Sequence, residues 1–223
     1  MKKSLVVAVI LFFVLAAVNA FSMGWMPPAP PDDPQDLPGE CSAGKIPVVF
    51  VHGLYGYGFV WNTAINYLED EGYDRDLMMF ETMSVDNYTL CSAGHAKEVQ
   101  KWIDEMLAAH PEFTQVDLVG HSRGGVDIMS GLWSGAIDRK KVRNVVTMSG
   151  ANRACGGIPG DETPGDIFYS VYYSSADTFV TYYTTHIDEA YEEDLETLSH
   201  NQMMTDPKAL NAILDGLQAS GCE

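Results

Sequence analysis

The stretch QVDLVGHSRGGVDIMSGL, residues 115–132, decides the fold. Its opening QVDLV (115–119) is a short apolar strand pattern, and residues 124–134 change to the spacing of a helix. Between them lies Gly120-His121-Ser122-Arg123-Gly124, a G-x-S-x-G pattern. Five residues of this kind recur by chance, but a strand before them and a helix after them is the context the pattern needs. A serine at the crest of so tight a turn has its hydroxyl exposed above a sheet. Small residues at 120 and 124 let neighbouring backbone approach it. Ser122 is therefore the candidate nucleophile.

Outward from this turn, strands and helices alternate. IPVVFV (46–51) is a continuous β-branched run of the kind buried on both faces of a sheet. LMMF (77–80), VRNVVTM (142–148) and IFYSVYY (167–173) are further strands, and DLETL (194–198) is a weaker one. Residues 60–70 carry apolar side chains at helical spacing. In 94–109, Val99, Trp102, Ile103, Met106 and Leu107 share one helical face. The last helix is the clearest: Asp206 can cap it, Pro207 suits its first turn, Leu210, Ile213, Leu214 and Leu217 form its stripe, and Gly221 closes it. This alternation predicts an α/β class with a mostly parallel central sheet of about six strands and helices on both faces, and the strand–G-x-S-x-G–helix unit within it points to an α/β-hydrolase fold. Ligands in such sheets bind at the carboxyl ends of the strands.

A serine needs a base, and in this fold the partners follow it in the order acid, then histidine. His52, His95, His110 and His121 precede or flank Ser122, which leaves His186 and His200. His200 follows DLETL and precedes the last helix, so it belongs at the carboxyl edge of the sheet and is preferred to His186. Asp177 follows the strand IFYSVYY and is the expected orienting acid; Asp161, Asp166 and Asp188 are rivals that follow no strand directly. The oxyanion needs preset backbone N–H donors. One is expected at Arg123 and the other at Leu54, in the glycine-containing loop His52-Gly53-Leu54-Tyr55-Gly56. Phosphate-loop, dinucleotide and H-E-x-x-H patterns are not found, and neither a metal nor another cofactor is expected.

The flanks set the setting. Lys2 and Lys3 precede an apolar run from Leu5 to Val18 that ends at Val18-Asn19-Ala20, the layout of a cleaved secretory signal over residues 1–20. Residues 21–44 form a proline-rich leader, with six of the 11 prolines between 27 and 40, and 45–223 form a single catalytic domain. A formal charge of −18 disfavours nucleic acid and anionic lipid as partners. A secreted monomer with no membrane insertion after signal removal is expected. Four scattered cysteines in such a chain read as two disulfides. Cys41 and Cys222 belong to the rim where strands begin, Cys91 and Cys155 to the opposite rim, and a bridge cannot reach across. The predicted pairs are Cys41–Cys222 and Cys91–Cys155. Asn87-Tyr88-Thr89 is a glycosylation sequon.

PVVFVHGLYG, VDLVGHSRGG, VRNVVTMSGANR and VYYSSAD together resemble the small secreted bacterial triacylglycerol lipases, compact α/β hydrolases without a lid. The resemblance runs from about Pro47 to Leu217. It implies Ser122, Asp177 and His200 as a catalytic triad and Leu54 and Arg123 as oxyanion donors. It also implies hydrolysis of acyl esters of glycerol, hence lipid degradation, with a small-molecule or lipid ester as the partner. Since no long insertion between strands looks able to act as a lid, the longest candidate being the stretch from Ala151 to Asp166, short to medium acyl chains are expected. The chain departs from the family at Ser199-His200-Asn201-Gln202, where a glycine usually precedes the histidine and an aliphatic residue follows it. It departs again at Arg123, where methionine or glutamine is common. Other acyl hydrolases of the same fold, such as a polyester depolymerase or a peptidase, and a catalytically silent binding protein are the alternatives.

Overall fold

The computed structural model describes residues 45–156, 163 and 165–219. The proposed signal, the leader, Cys41, Cys222, Gly221 and the rival acid Asp161 lie outside the described residues.

Six parallel strands form the sheet. They are β1 (Val48–Val51), β2 (Met78–Met79), β3 (Val116–His121), β4 (Val142–Met148), β5 (Phe168–Tyr173) and β6 (Tyr191–Asp194). Their order across the sheet is β2-β1-β3-β4-β5-β6. The helices are α1 (Asn62–Asp70), α2 (Ala93–Ala109), α3 (Arg123–Ser134), the single-turn α4 (Tyr182–Thr185) and α5 (Pro207–Gln218).

The two-residue period of β1 shows how the layers divide. Val48 and Phe50 face one apolar cluster, built with Ile65 and Leu68 of α1 and Leu210, Ile213 and Leu217 of α5. Val49 and Val51 face the other, built with Val99, Trp102 and Ile103 of α2 and Ile128, Met129 and Leu132 of α3. All four β1 residues are wholly buried, which is why the segment reads as an unbroken apolar run. The caps are local: Ser92 Oγ accepts the Gly94 N–H at the head of α2, and an Asp206 carboxylate oxygen accepts the Lys208 N–H at the head of α5.

One strand differs from its sequence expectation. The last strand is Tyr191–Asp194, which ends on the first residue of DLETL rather than spanning it. It lies at the sheet edge and is half-buried throughout, so it tolerates acids that a central strand would exclude. Leu195 and Leu198 still enter the core, but from the loop that follows.

Candidate active site

The elbow is built from close backbone approach. Ser122 sits between β3 and α3 with φ 55° and ψ −120°, a conformation side-chain-bearing residues rarely adopt. Its backbone is fixed on both sides: its N–H donates to the Met148 carbonyl (3.3 Å), and its carbonyl accepts from Gly125 (3.0 Å) and Ala151 (2.7 Å). A methyl group at Gly124 would lie 2.1 Å from the Val51 carbonyl oxygen, so only glycine lets α3 start against the end of β1. A methyl group at Gly53 would lie 3.0 Å from Ser122 Cβ and 3.4 Å from its Oγ. The loop after β1 is thus brought to the serine hydroxyl. Arg123 opens α3, and N–H groups in a first helical turn have no intrahelical acceptor.

Asp177 and His200 are brought together. Asp177 closes a turn after β5, and its Oδ2 meets His200 Nδ1 at 2.6 Å. Its Oδ1 accepts the N–H groups of Phe179 (2.8 Å) and Val180 (3.1 Å). Burial would raise the Asp177 carboxyl, but the His200 bond and charge and the two amides outweigh it and hold the group below the usual carboxylate range. His200 lies against the exposed ring of Phe179 (5.4 Å between centroids) and against His121 (4.5 Å). Its carbonyl accepts the Nε2–H of His121, the residue before Ser122, at 2.9 Å.

His186 is engaged elsewhere. Nδ1 meets Glu192 at 2.9 Å and Nε2 meets Asp188 at 2.5 Å, and the Glu192 bond raises its basicity. With both ring nitrogens on carboxylates, it has no nitrogen left to accept a serine proton. Asp188 is committed to that pair, and Asp166 is exposed.

Sequence order set aside three histidines that are buried here. His121 anchors the His200 backbone, His52 accepts the Met83 N–H, and His95 pairs with Asp127 at 2.8 Å. No local pattern marks them, because their partners are distant in sequence. The Arg123 side chain is not a free cation beside the serine: it is fully buried, with Nε 3.1 Å from Asp127 Oδ2. The amide nitrogen of the sequon residue Asn87 donates to the Gly56 carbonyl.

Cys91 and Cys155 form a disulfide with Cα atoms 5.8 Å apart, the pair expected at the catalytic rim. The Cys41–Cys222 expectation falls outside the described residues. Among the described residues, no group of three His, Cys, Asp or Glu side chains is arranged to hold a metal ion, and no helix is long and apolar enough to cross a membrane.

No protein-family model matches the chain. Solved structures do. A mature lipase of Bacillus licheniformis superposes with a TM-score of 0.59 at 17% identity, covering 85% of this chain and 96% of that one. An esterase of a Rhodococcus species gives 0.58 at 14% identity, covering 79% and 91%. A monoacylglycerol lipase of Paleococcus ferrophilus gives 0.54 at 15% identity, covering 78% and 96%. With the six-stranded parallel sheet, these similarities make the fold that of the α/β hydrolases.

Proposed function

We propose that the protein is a carboxylic ester hydrolase working through an acyl-enzyme on Ser122. His200 serves as base and then acid, Asp177 orients it, and the amides of Leu54 and Arg123 receive the oxyanion. The observation that carries this reading is the Asp177–His200 bond of 2.6 Å, with the His200 backbone tied to the residue before a strained serine. A carboxylate on Nδ1 fixes the tautomer that leaves Nε2 free to accept a proton.

In the first step Ser122 Oγ bonds to the ester carbonyl carbon while its proton passes to His200 Nε2. The carbonyl π pair moves onto oxygen, where the two amides receive it. Collapse of this intermediate breaks the bond to the alkoxy group, which takes the proton from His200 and leaves as the alcohol. Water then gives a proton to His200 and attacks the acyl carbon. Ser122 departs with that proton, and the acid is released.

The proposed substrates are short to medium acyl esters of glycerol, met outside the cell by a monomeric enzyme. Support comes from the exposed rings of Tyr55, Tyr57, Phe59, Tyr88 and Phe179, which offer apolar surface near the strand ends, and from a net charge of −18, which disfavours anionic substrates. The secretory-type N-terminus and the Cys91–Cys155 bridge support the location. The test is a fluorophosphonate probe followed by peptide mapping, then rates on p-nitrophenyl and glyceryl esters of rising chain length. Label on Ser122 with glyceryl ester turnover is expected. No label overturns the reading, and turnover of polyester or peptide alone would move the function to another acyl hydrolase.

A further inference from the structure

Four buried polar side chains converge on the backbone of one loop, 82–88, between β2 and α2. His52 Nε2 accepts the Met83 N–H at 2.9 Å. The Glu98 carboxylate accepts the Ser84 N–H (2.9 Å), the Ser84 hydroxyl (2.6 Å) and the Val85 N–H (3.0 Å). His95 Nε2–H donates to the Asp86 carbonyl (3.1 Å), and Arg123 Nη1 donates to the Asn87 carbonyl (3.0 Å). His95 and Arg123 are wholly buried and share one carboxylate, Asp127.

The same loop grips its neighbour, 53–58. The Asn87 carbonyl also accepts the Tyr55 N–H (3.3 Å), Asn87 Nδ2 donates to the Gly56 carbonyl (3.0 Å), and Thr82 Oγ1 accepts the Gly58 N–H (2.9 Å). Tyr55 and Asp86 both hold positive φ, at 56° and 46°, conformations that need outside support. Burying a guanidinium and an imidazole is costly unless each is paired and hydrogen-bonded, and here Asp127 and the loop carbonyls supply those partners.

We propose that Arg123 and Asn87 are positioning residues for the oxyanion loop: the Arg123 guanidinium fixes the Asn87 carbonyl, and Asn87 fixes Tyr55 and Gly56 beside the Leu54 amide. The inference rests on the reading of Ser122 as nucleophile. One residue then serves both donors, its own N–H supplying the first and its side chain holding the loop of the second. Oxyanion donors act on charge that exists only in the transition state. Loosening them lowers kcat and leaves KM nearly unchanged. A purely structural role would instead reduce the number of active molecules.

The experiment compares wild type with Asn87→Ala, Arg123→Met and Arg123→Lys on p-nitrophenyl butyrate, with kcat expressed per site titrated by a fluorophosphonate. Asn87→Ala is expected to lose about tenfold or more in kcat per titrated site, less than the 10²–10³ of removing a donor outright, with KM within about threefold. Arg123→Lys keeps a cation for Asp127 and for the Asn87 carbonyl and should retain at least about fivefold more kcat than Arg123→Met. If Arg123→Met does not fold, Asn87→Ala, at a half-buried position, carries the test. Wild-type kcat in Asn87→Ala, a change in KM alone, or a loss explained by fewer titrated sites overturns the proposal. A wild-type protein that neither labels at Ser122 nor turns over ester overturns the underlying reading and this inference with it.

Discussion

The His121 side chain donates from Nε2 to the backbone carbonyl of His200 over 2.9 Å, bridging 79 residues of sequence. The acceptor is a carbonyl, so the proton sits on Nε2 and Nδ1 is bare. The bond ties the loop bearing one candidate residue to the elbow bearing the other. Together with the Asp177 contact to the His200 ring, it fixes that residue at both backbone and side chain.

Replacing Ser122 or His200 by alanine should each lower ester turnover by several orders of magnitude, leaving roughly 10³-fold over water from binding and the remaining donors. His186→Ala should leave kcat near wild type, since its ring is held by Glu192 and Asp188. Steady-state kinetics on the three variants checks this, and full activity in His200→Ala would sink the assignment.

Gly124→Ala places a methyl 2.1 Å from the Val51 carbonyl oxygen, a backbone atom that cannot step aside. We expect about 3 kcal/mol of destabilisation, at the upper end for overpacking. Urea unfolding would read it as a lower midpoint, and an unchanged midpoint would contradict the close approach.

His121 should lower stability on mild acidification. Its burial, with the nearby charge of His200, pushes it down to about 3. The unfolded chain protonates near 6.5, so between about 6.5 and 3 it takes up a proton that the folded chain refuses. Each pH unit in that window costs about 1.4 kcal/mol for this group alone. His52, lowered by burial, acts in the same direction. His95, where Asp127 outweighs burial, and His186, raised by Glu192, oppose it: their stabilisation is present at low pH and lost as pH rises through their folded values. His121→Gln, which can keep a donor for the His200 carbonyl, isolates the term. Its unfolding free energy should depend less steeply on pH than that of wild type between pH 6 and 4.5, and an equal slope would refute the assignment.

Reducing Cys91–Cys155, which are 64 residues apart in sequence, frees a long loop in the unfolded chain and should cost about 4 kcal/mol. Thermal unfolding of a Cys91→Ala/Cys155→Ala double variant against wild type measures this, and an unchanged midpoint would show that the bridge contributes nothing.

Phe179 is exposed and its ring lies tilted against His200, so it is placed to wall the acyl group of a bound ester. Phe179→Ser should reduce kcat/KM for butyrate or octanoate esters by about tenfold while acetate changes little, consistent with a lost apolar contact worth about 1.5 kcal/mol. An equal loss on acetate would point to disturbance of His200 itself.

By itself the sequence determined what depends on neighbours along the chain. The full burial of β1 shows as a continuous apolar run, the α2 stripe shows as a period near 3.6, and the Asp206 cap shows beside Pro207. The elbow was legible too, because the turn needs glycine at fixed offsets. Asp177 and His200 could be picked out by chain order at strand ends, and Cys91–Cys155 by which rim each strand reaches. Only the tertiary structure decided the rest. The edge strand Tyr191–Asp194 is half-buried on both faces and so accommodates acids, and no apolar run announces it. The His95–Asp127 pair, the bond from Arg123 to the Asn87 carbonyl, the hold of His52 and Glu98 on 83–85, and the His121–His200 bond join residues whose separation in sequence carries no period. Whether a buried charge finds a partner is settled when distant segments pack, since desolvation then makes each pairing obligatory.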